Sequence, residues 1–254
     1  MSPHFKAAGP APQRADRAAG PFLDTLRLTD GRELTLRVEI NPRARRISVR
    51  LDPVTRHVVA VAPAPRHAPE AAAFARTRLG WVAAQLARLP QVIHLEPGAT
   101  IPLRGAPVRL VQQPGSGPVQ IAGDTLLAPG WDPTLFAGRV RRFLHAEARA
   151  DLIARVKTHA AALEVTPRRL TVKDTASRWG SCTTAGALNF SWRVVLAPPF
   201  VLDYLAAHEV AHLREMNHSA RFWRLVAHCI PDFQRAETWL ERHGAGLHGI
   251  DPKR

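Results

Sequence analysis

His208-Glu209-Val210-Ala211-His212 is the stretch of this chain whose residue types and spacing can do chemistry. On a helix, residues four apart point the same way, offset by about 40°, so two neutral imidazoles can grip one Zn²⁺. Glu209 is not a ligand in that arrangement. It sits beside the metal and takes the proton from a water whose pKa the metal lowers to roughly 7. A tetrahedral catalytic site needs a third protein ligand and leaves its fourth position to water. His218 is the expected third ligand, returned by a chain turn at Asn217, a residue type that tolerates the left-handed conformation. The spacing follows the long form H-E-x-x-H-x-x-G-x-x-H, except that Glu215 stands where that form has glycine. Glu215 is the rival third ligand, less well placed because a carboxylate still on the helix is hard to aim at a metal above the preceding turn.

The elements that must position these residues are legible around them. Pro198-Pro199 can open a helix, whose first turn needs no N–H there. No Gly or Pro interrupts Phe200 to Met216, and Ala206, Val210 and Leu213 give that helix an apolar back. Upstream, Phe136, Val140, Phe143, Leu144, Leu152 and Val156 mark a helix running to about Leu163. Leu170 to Lys173 and Leu188 to Leu196 read as strands around a Gly-containing loop. Beyond His218, Phe222, Leu225 and Val226 form one helical stripe, and a second helix runs from Pro231 to about His243, closed by Gly244.

The N-terminal half reads differently. Residues 1–20 form an Ala/Pro/Gly tail expected to be disordered. From Phe22 to about Pro63, apolar residues alternate with polar ones, as in Leu34, Leu36, Val38 and Ile40, with turns at Asp30-Gly31 and Asn41-Pro42. Leu79, Val82, Leu86 and Leu89 stripe a helix over 69–89, with Phe74 and Trp81 expected in its core. Short strands separated by Gly/Pro turns fill 92–129. Pro129-Gly130-Trp131-Asp132-Pro133 reads as a boundary. The expectation is an α+β protein with a β-rich region carrying one helix over 21–130 and a metal-dependent hydrolase domain over 131–254.

Composition narrows the class. A chain of 254 residues with 46% hydrophobic content can bury a sizeable core. Two cysteines, Cys182 and Cys229, are too few for a disulfide framework or a Cys₄ zinc ribbon. No apolar run is long enough for a membrane span, and the first twenty residues lack the apolar segment of a signal peptide. A cytoplasmic location is expected. The formal net charge of +14 could serve a polyanion, but the arginines are spread along the whole chain, so a nucleic-acid groove is not favoured.

Ser177-Arg178-Trp179-Gly180-Ser181-Cys182, Leu188-Asn189-Phe190-Ser191-Trp192-Arg193, Leu196-Ala197-Pro198-Pro199, the histidine motif, Asn217-His218-Ser219 and Phe222-Trp223 occur in that order. Together they resemble the YgjP-like metallopeptidase-domain family (domain of unknown function 45), a relative of the zincins. The resemblance is dense from about Leu163 to Gly244 and weaker before it. It implies a zincin-like C-terminal domain, with a helix, a β-hairpin and a metal helix in that order, and peptidase chemistry on a peptide or protein substrate. Arg178 could then stabilise an oxyanion or hold a substrate carboxylate or phosphate. Trp179 could line the pocket or pack as core, and Tyr204, on the same helical face as His208, could hydrogen-bond an oxyanion or pack beside the metal. Asn189 could orient a histidine through its second ring nitrogen. Cys182 is expected to be a small buried thiol. The expected function is a zinc-dependent metallopeptidase with Glu209 as general base. One alternative is a metal-dependent nucleoside triphosphate pyrophosphatase with a nucleotide as partner, and the other a nucleic-acid-associated protease.

Overall fold

A computed structural model describes residues 22–53, 55–89, 91–175 and 178–252. The Ala/Pro/Gly tail and Ser177 lie outside the described residues. The described chain is α+β and divides into two compact units, one ending before Pro90 and one beginning at Gln91.

In the first unit, strands β1 (Phe22–Arg27), β2 (Glu33–Ile40), β3 (Ser48–Leu51) and β4 (Val58–Ala62) form a sheet in the order β1-β2-β4-β3. The alternation in β2 turns Leu36 and Val38 inward, and both are buried. They meet the buried Ala71, Ala72, Ala75, Val82 and Leu86 of α1 (Ala68–Thr77) and α2 (Leu79–Arg88). The single helix expected over 69–89 is therefore two. Arg78 leaves helical geometry at φ −103°, ψ 13°, so the two apolar stripes can each face the sheet. Trp81, expected in the core, is 42% exposed.

The second unit holds the histidines. Strands β5 (Thr100–Leu103), β6 (Ala106–Gln113), β7 (Gln120–Ala122) and β8 (Thr125–Pro129) pair in the order β5-β6-β8-β7. Their inward residues Ile101, Leu103, Val108, Leu110, Leu126 and Ala128 share one core with the helices that follow. This sheet was expected to belong with the N-terminal region, up to residue 130. Its apolar face instead seals the hydrolase core, so the compact unit starts about forty residues earlier, at Gln91. Helix α3 (Phe136–Ala162) runs 27 residues with Phe136, Val140, Leu144, Leu152 and Val156 buried, as the stripe requires.

A three-stranded sheet follows, in the order β10-β11-β9, from β9 (Arg169–Lys173), β10 (Gly180–Cys182) and β11 (Ala187–Ser191). The strand expected to reach Leu196 stops at Ser191. Residues 192–196 wind into a short 3₁₀ turn that is buried at every position, and the Ser191 hydroxyl accepts from the Arg193 N–H at its start. Arg193 is 2% exposed. It ion-pairs with Asp174, and its Nε and Nη2 donate to the carbonyls of Ile250 (2.9 Å) and Asp251 (2.6 Å).

Helices α4 (Pro199–Ala211), α5 (Ala220–Cys229) and α6 (Phe233–His248) complete the unit. The order helix, sheet, histidine helix and C-terminal helices is the one expected. Gly244 does not end α6, which runs on to His248. Its bare Cα instead leaves room for Trp179, whose Cζ2 would lie 3.2 Å from any Cβ there. No described helix is long and apolar enough to cross a membrane.

Two devices fix the start of α4. At the β5–β6 turn, Arg104 and Gly105 both have positive φ, 52° and 81°, the conformation a two-residue hairpin turn demands. Their N–H groups donate to the carbonyls of Val195 (2.7 Å) and Leu196 (3.1 Å), and a Cβ on Gly105 would meet Pro198 Cγ at 2.9 Å. The Arg104 guanidinium reaches on to Asp151 and Glu147 of α3. The second device is His159 of α3, 4% exposed, whose Nε2 lies 2.7 Å from Asp203 Oδ1 on α4.

Burial alone would lower the His159 pKa, but the Asp203 hydrogen bond, with help from Cys229, lifts it to about 9. The folded value exceeds the ordinary 6.5, so the pair stabilises fully below that value and loses its effect as pH rises through the folded one. Asp203→Asn should cost roughly 1–3 kcal/mol at pH 6 and clearly less near pH 10, read from urea unfolding at both pH values. Equal losses at the two would show that the ion pair is not what joins α3 to α4.

Candidate metal centre

Helix α4 is buried on almost every side, with Tyr204, Leu205, Ala206, Ala207, His208, Glu209 and Val210 all buried. This is more than the one-sided apolar back the sequence suggests. The helix ends at Ala211 rather than near Met216. His212 caps it, and Leu213 and Arg214 continue in tighter turns by donating to Val210 and Ala211 carbonyls. The expected left-handed turn at Asn217 is also absent, since Asn217 is not among the residues with positive φ. The chain comes round through these tight turns, and Ser219 then caps α5 by accepting from the Phe222 N–H. No glycine is needed at Glu215 because the reversal begins before it.

This path brings His208, His212 and His218 together. One ligand nitrogen from each lies within 4.8 Å of the others, and among the described residues they form the one such metal-capable group. The Nε2 atoms of His208 and His218 are 3.1 Å apart, close to the separation of about 3.3 Å that two imidazoles on a tetrahedral zinc require. Glu215 contributes its carbonyl rather than its carboxylate. His212 Nδ1–H donates to that carbonyl at 3.0 Å, which leaves the lone pair on Nε2.

His208 is oriented through a relay. Burial and the Glu237 carboxylate push the Tyr204 phenol far above its ordinary pKa, so its hydroxyl keeps its proton and donates to Glu237 Oε1 (3.1 Å). The phenolic oxygen of Tyr204 can in turn accept from His208 Nδ1–H at 3.3 Å, and the His208 lone pair is again on Nε2. Tyr204 therefore stands behind the ligand ring, not in the oxyanion position considered for it. Asn189 does not reach a histidine. Its amide is 3.5 Å from Ser181 Oγ.

The electrostatics suit a cation. Burial, then the neighbouring imidazoles, lower the His208 pKa to about 3, and burial lowers His212 and His218 as well. All three are neutral donors near pH 7. Phe222 of α5, fully buried, packs against all three rings with centroids 4.9, 4.5 and 4.7 Å away. Burial lifts Glu209 to about 8, and its Oε2 has no hydrogen-bond partner among the described residues. The Cys182 thiol is pushed up to about 11 by burial and by Glu209, and it is not part of the group that could hold a metal. Three neutral nitrogens aimed at one point, beside an unpartnered carboxyl, fit a divalent metal.

Glu209 also explains a glycine that the motif reading passed over. A Cβ on Gly180 would lie 2.7 Å from Glu209 Cγ and Cδ, so only glycine lets the carboxyl lie against β10. Trp179, next in the chain, is half-buried and stacks on His248 at 4.1 Å. Arg178 is exposed and lines a cavity on the sheet rather than the cluster of rings. Glu237 and Gly180 carried no sequence signal of a role at the site, because each works through a residue far away in the chain, and Phe222 stood out only as part of an apolar stripe and a family block.

Tyr204→Phe and Glu237→Gln should each weaken divalent-metal binding about 10- to 100-fold, measured by chelator competition, with the melting temperature of the metal-free protein little changed. Unaltered affinity in both would mean that the relay does not hold His208.

Residues 45–243 match the model of the YgjP-like metallopeptidase domain. Among solved structures, the chain is similar to the metallopeptidase zymogen of Pyrococcus abyssi abylysin, with 20% identity over 36% of this chain and 90% of that one and a TM-score of 0.33. No curated protein sequence matches the chain. The family match spans well over half of the chain and takes in all three histidines and Glu209, and the chain belongs to the YgjP-like metallopeptidase-domain family.

Proposed function

We propose that this metallopeptidase domain is zinc-dependent and cleaves peptide bonds in a peptide or protein substrate, with Glu209 as general base. The observation that carries this reading is the convergence of His208, His212 and His218, with Glu209 next to His208 on α4, the helix that His212 caps. Three imidazole ligands with a fourth position open match a catalytic zinc site. When bound, zinc supplies a Lewis acid that acidifies a water and polarises a scissile carbonyl, and a positive charge that favours the ionised form of a neighbouring carboxyl.

The chain's own residues do the rest. Glu209 accepts the proton of the attacking water and later delivers it to the leaving amine. Gly180 lets that carboxylate lie against β10. Strand β10 has a neighbour, β11, on one side only among the described strands, so its free edge offers N–H and C=O groups to an extended peptide. The Tyr204–Glu237 relay and the Glu215 carbonyl hold two ligand rings in the required tautomer. Phosphoanhydride cleavage would call for a carboxylate cluster to hold a second cation, and the three histidines are the one metal-capable group among the described residues.

Zinc content and turnover should separate when each residue is changed. Glu209→Gln should keep zinc and lose at least about 100-fold in turnover of an unfolded protein substrate. His218→Ala should lose zinc, whereas Glu215→Ala should keep it, because only its carbonyl is used. Wild-type turnover in Glu209→Gln would overturn the proposed mechanism. Hydrolysis of nucleoside triphosphates but of no peptide would overturn the substrate class.

A further inference from the structure

The sheet β10-β11-β9 has two unlike faces. Residues paired across strands share a face. Gly180 pairs with Phe190, Cys182 with Leu188, Phe190 with Val172 and Leu188 with Leu170. That face is apolar, and it is the one against which Glu209 lies. Ser181 pairs with Asn189, Asn189 with Thr171, and Ser191 with Lys173, so the opposite face is polar. It carries a cavity of about 340 Å³, within the range of roughly 300–1,000 Å³ seen for small-ligand sites.

The lining of that cavity is one-sided in charge. Lys173 and Arg178 both line it, with Thr175, Ser181 and Asn189 between them, and no Asp or Glu does. Neither cation has an ion-pair partner among the described residues. Other arginines of the same unit are taken up: Arg104 by Asp151 and Glu147, Arg141 by Asp251, and Arg193 by Asp174. Asp174, next to Lys173, is thus held by Arg193 and does not line the cavity. The neutral groups add donors. The Asn189 amide points to Ser181 Oγ at 3.5 Å, which leaves the Ser181 O–H free to turn to a ligand. The Thr175 hydroxyl donates to the Arg178 carbonyl at 2.6 Å and so fixes the loop rather than a ligand. Two cations without ion-pair partners beside the Ser181 hydroxyl and the Asn189 amide are the chemistry of a carboxylate site.

Gly180 lines the cavity and also touches Glu209. An extended chain paired to the free edge of β10 would send alternate side chains to opposite faces of the sheet. One set would face Glu209 and the histidines, and the other would face Lys173 and Arg178. We propose that this cavity is a specificity subsite in which Lys173 and Arg178 hold a carboxylate of the substrate, so that the enzyme prefers peptides acidic at one position near the cleaved bond. The proposal rests on the peptidase reading above and adds the class of substrate to it.

The test uses the full zinc-loaded chain and an extended peptide in which Glu is placed at each position in turn and compared with Gln. At one position Glu should raise kcat/KM about tenfold over Gln. The preference should vanish in Lys173→Ser/Arg178→Ser and fade with added salt. Lys173→Glu should shift the preference toward a Lys peptide. Binding of the same peptides to Glu209→Gln, followed by fluorescence anisotropy, should show the same contrast without turnover. A carboxylate at the peptide C-terminus, compared with its amide, separates a chain-end ligand from a side-chain one. If a C-terminal carboxylate alone gives the effect, the side-chain preference is overturned.

If wild type cleaves peptides with no acidic preference, or the preference survives in the double variant, the subsite is overturned and the peptidase reading stands. If no peptide is cleaved, the peptidase reading fails, and the binding arm still decides whether acidic peptides occupy the cavity. Binding of inorganic pyrophosphate that depends on Lys173 and Arg178, with acidic and amide peptides bound alike, would assign the cavity to a phosphate ligand and overturn the proposal.

Discussion

Three imidazole lone pairs aimed at one point are the constraint on which the rest of the second unit depends. Neutral nitrogens so close repel one another, and burial keeps them from escaping by protonation. Such a cluster is favourable only with a cation to share. Holding it together therefore requires that each ring be denied other conformations. Phe222 packs against all three rings. Tyr204 and the Glu215 carbonyl occupy the outer nitrogens of His208 and His212. A helix as deeply buried as α4 can carry these polar groups because nearly all of them have partners.

Precision at the site is transmitted from distant parts of the chain. The start of α4 is set by a hairpin turn that belongs to a different sheet, through two backbone hydrogen bonds and a close approach that only Gly105 permits. Its first turns are tied to α3 through Asp203 and His159. Its far side is met by β10, where Gly180 admits the Glu209 carboxyl. The arginine content, which from composition alone suggests a polyanion partner, is spent in part on this framework. Arg104 and Arg193 both lock segments next to α4 by charge-assisted hydrogen bonds.

Much of this was legible in the sequence wherever a period or a spacing was short. The motif placed His208 and Glu209 on the helix that His212 caps. The apolar stripes of β2, α2 and α3 marked the faces that carry their buried residues, although Ile40 at the end of the β2 stripe is exposed. What failed were the endings. The alternation of Leu188, Phe190 and Trp192 with Asn189, Ser191 and Arg193 looks like strand, yet residues 192–196 form a 3₁₀ turn in which even Arg193 is buried, so the alternation no longer tells which side faces solvent. Gly244 looked like a stop but serves to admit Trp179, and no local pattern can show a neighbour contributed from a distant loop. The same reason hid Glu237 and Gly180. The boundary near residue 130 follows from turn residues, whereas the compact unit follows from which core the strands share.

The central claim is that three histidine nitrogens, and no thiolate, hold the metal. X-ray absorption at the zinc edge of the loaded protein tests it most directly. The account predicts three imidazole scatterers at about 2.0–2.1 Å with a further light atom from solvent. A sulfur scatterer at about 2.3 Å, which would put Cys182 or Cys229 on the metal, or a shell with fewer than three imidazoles, would contradict it.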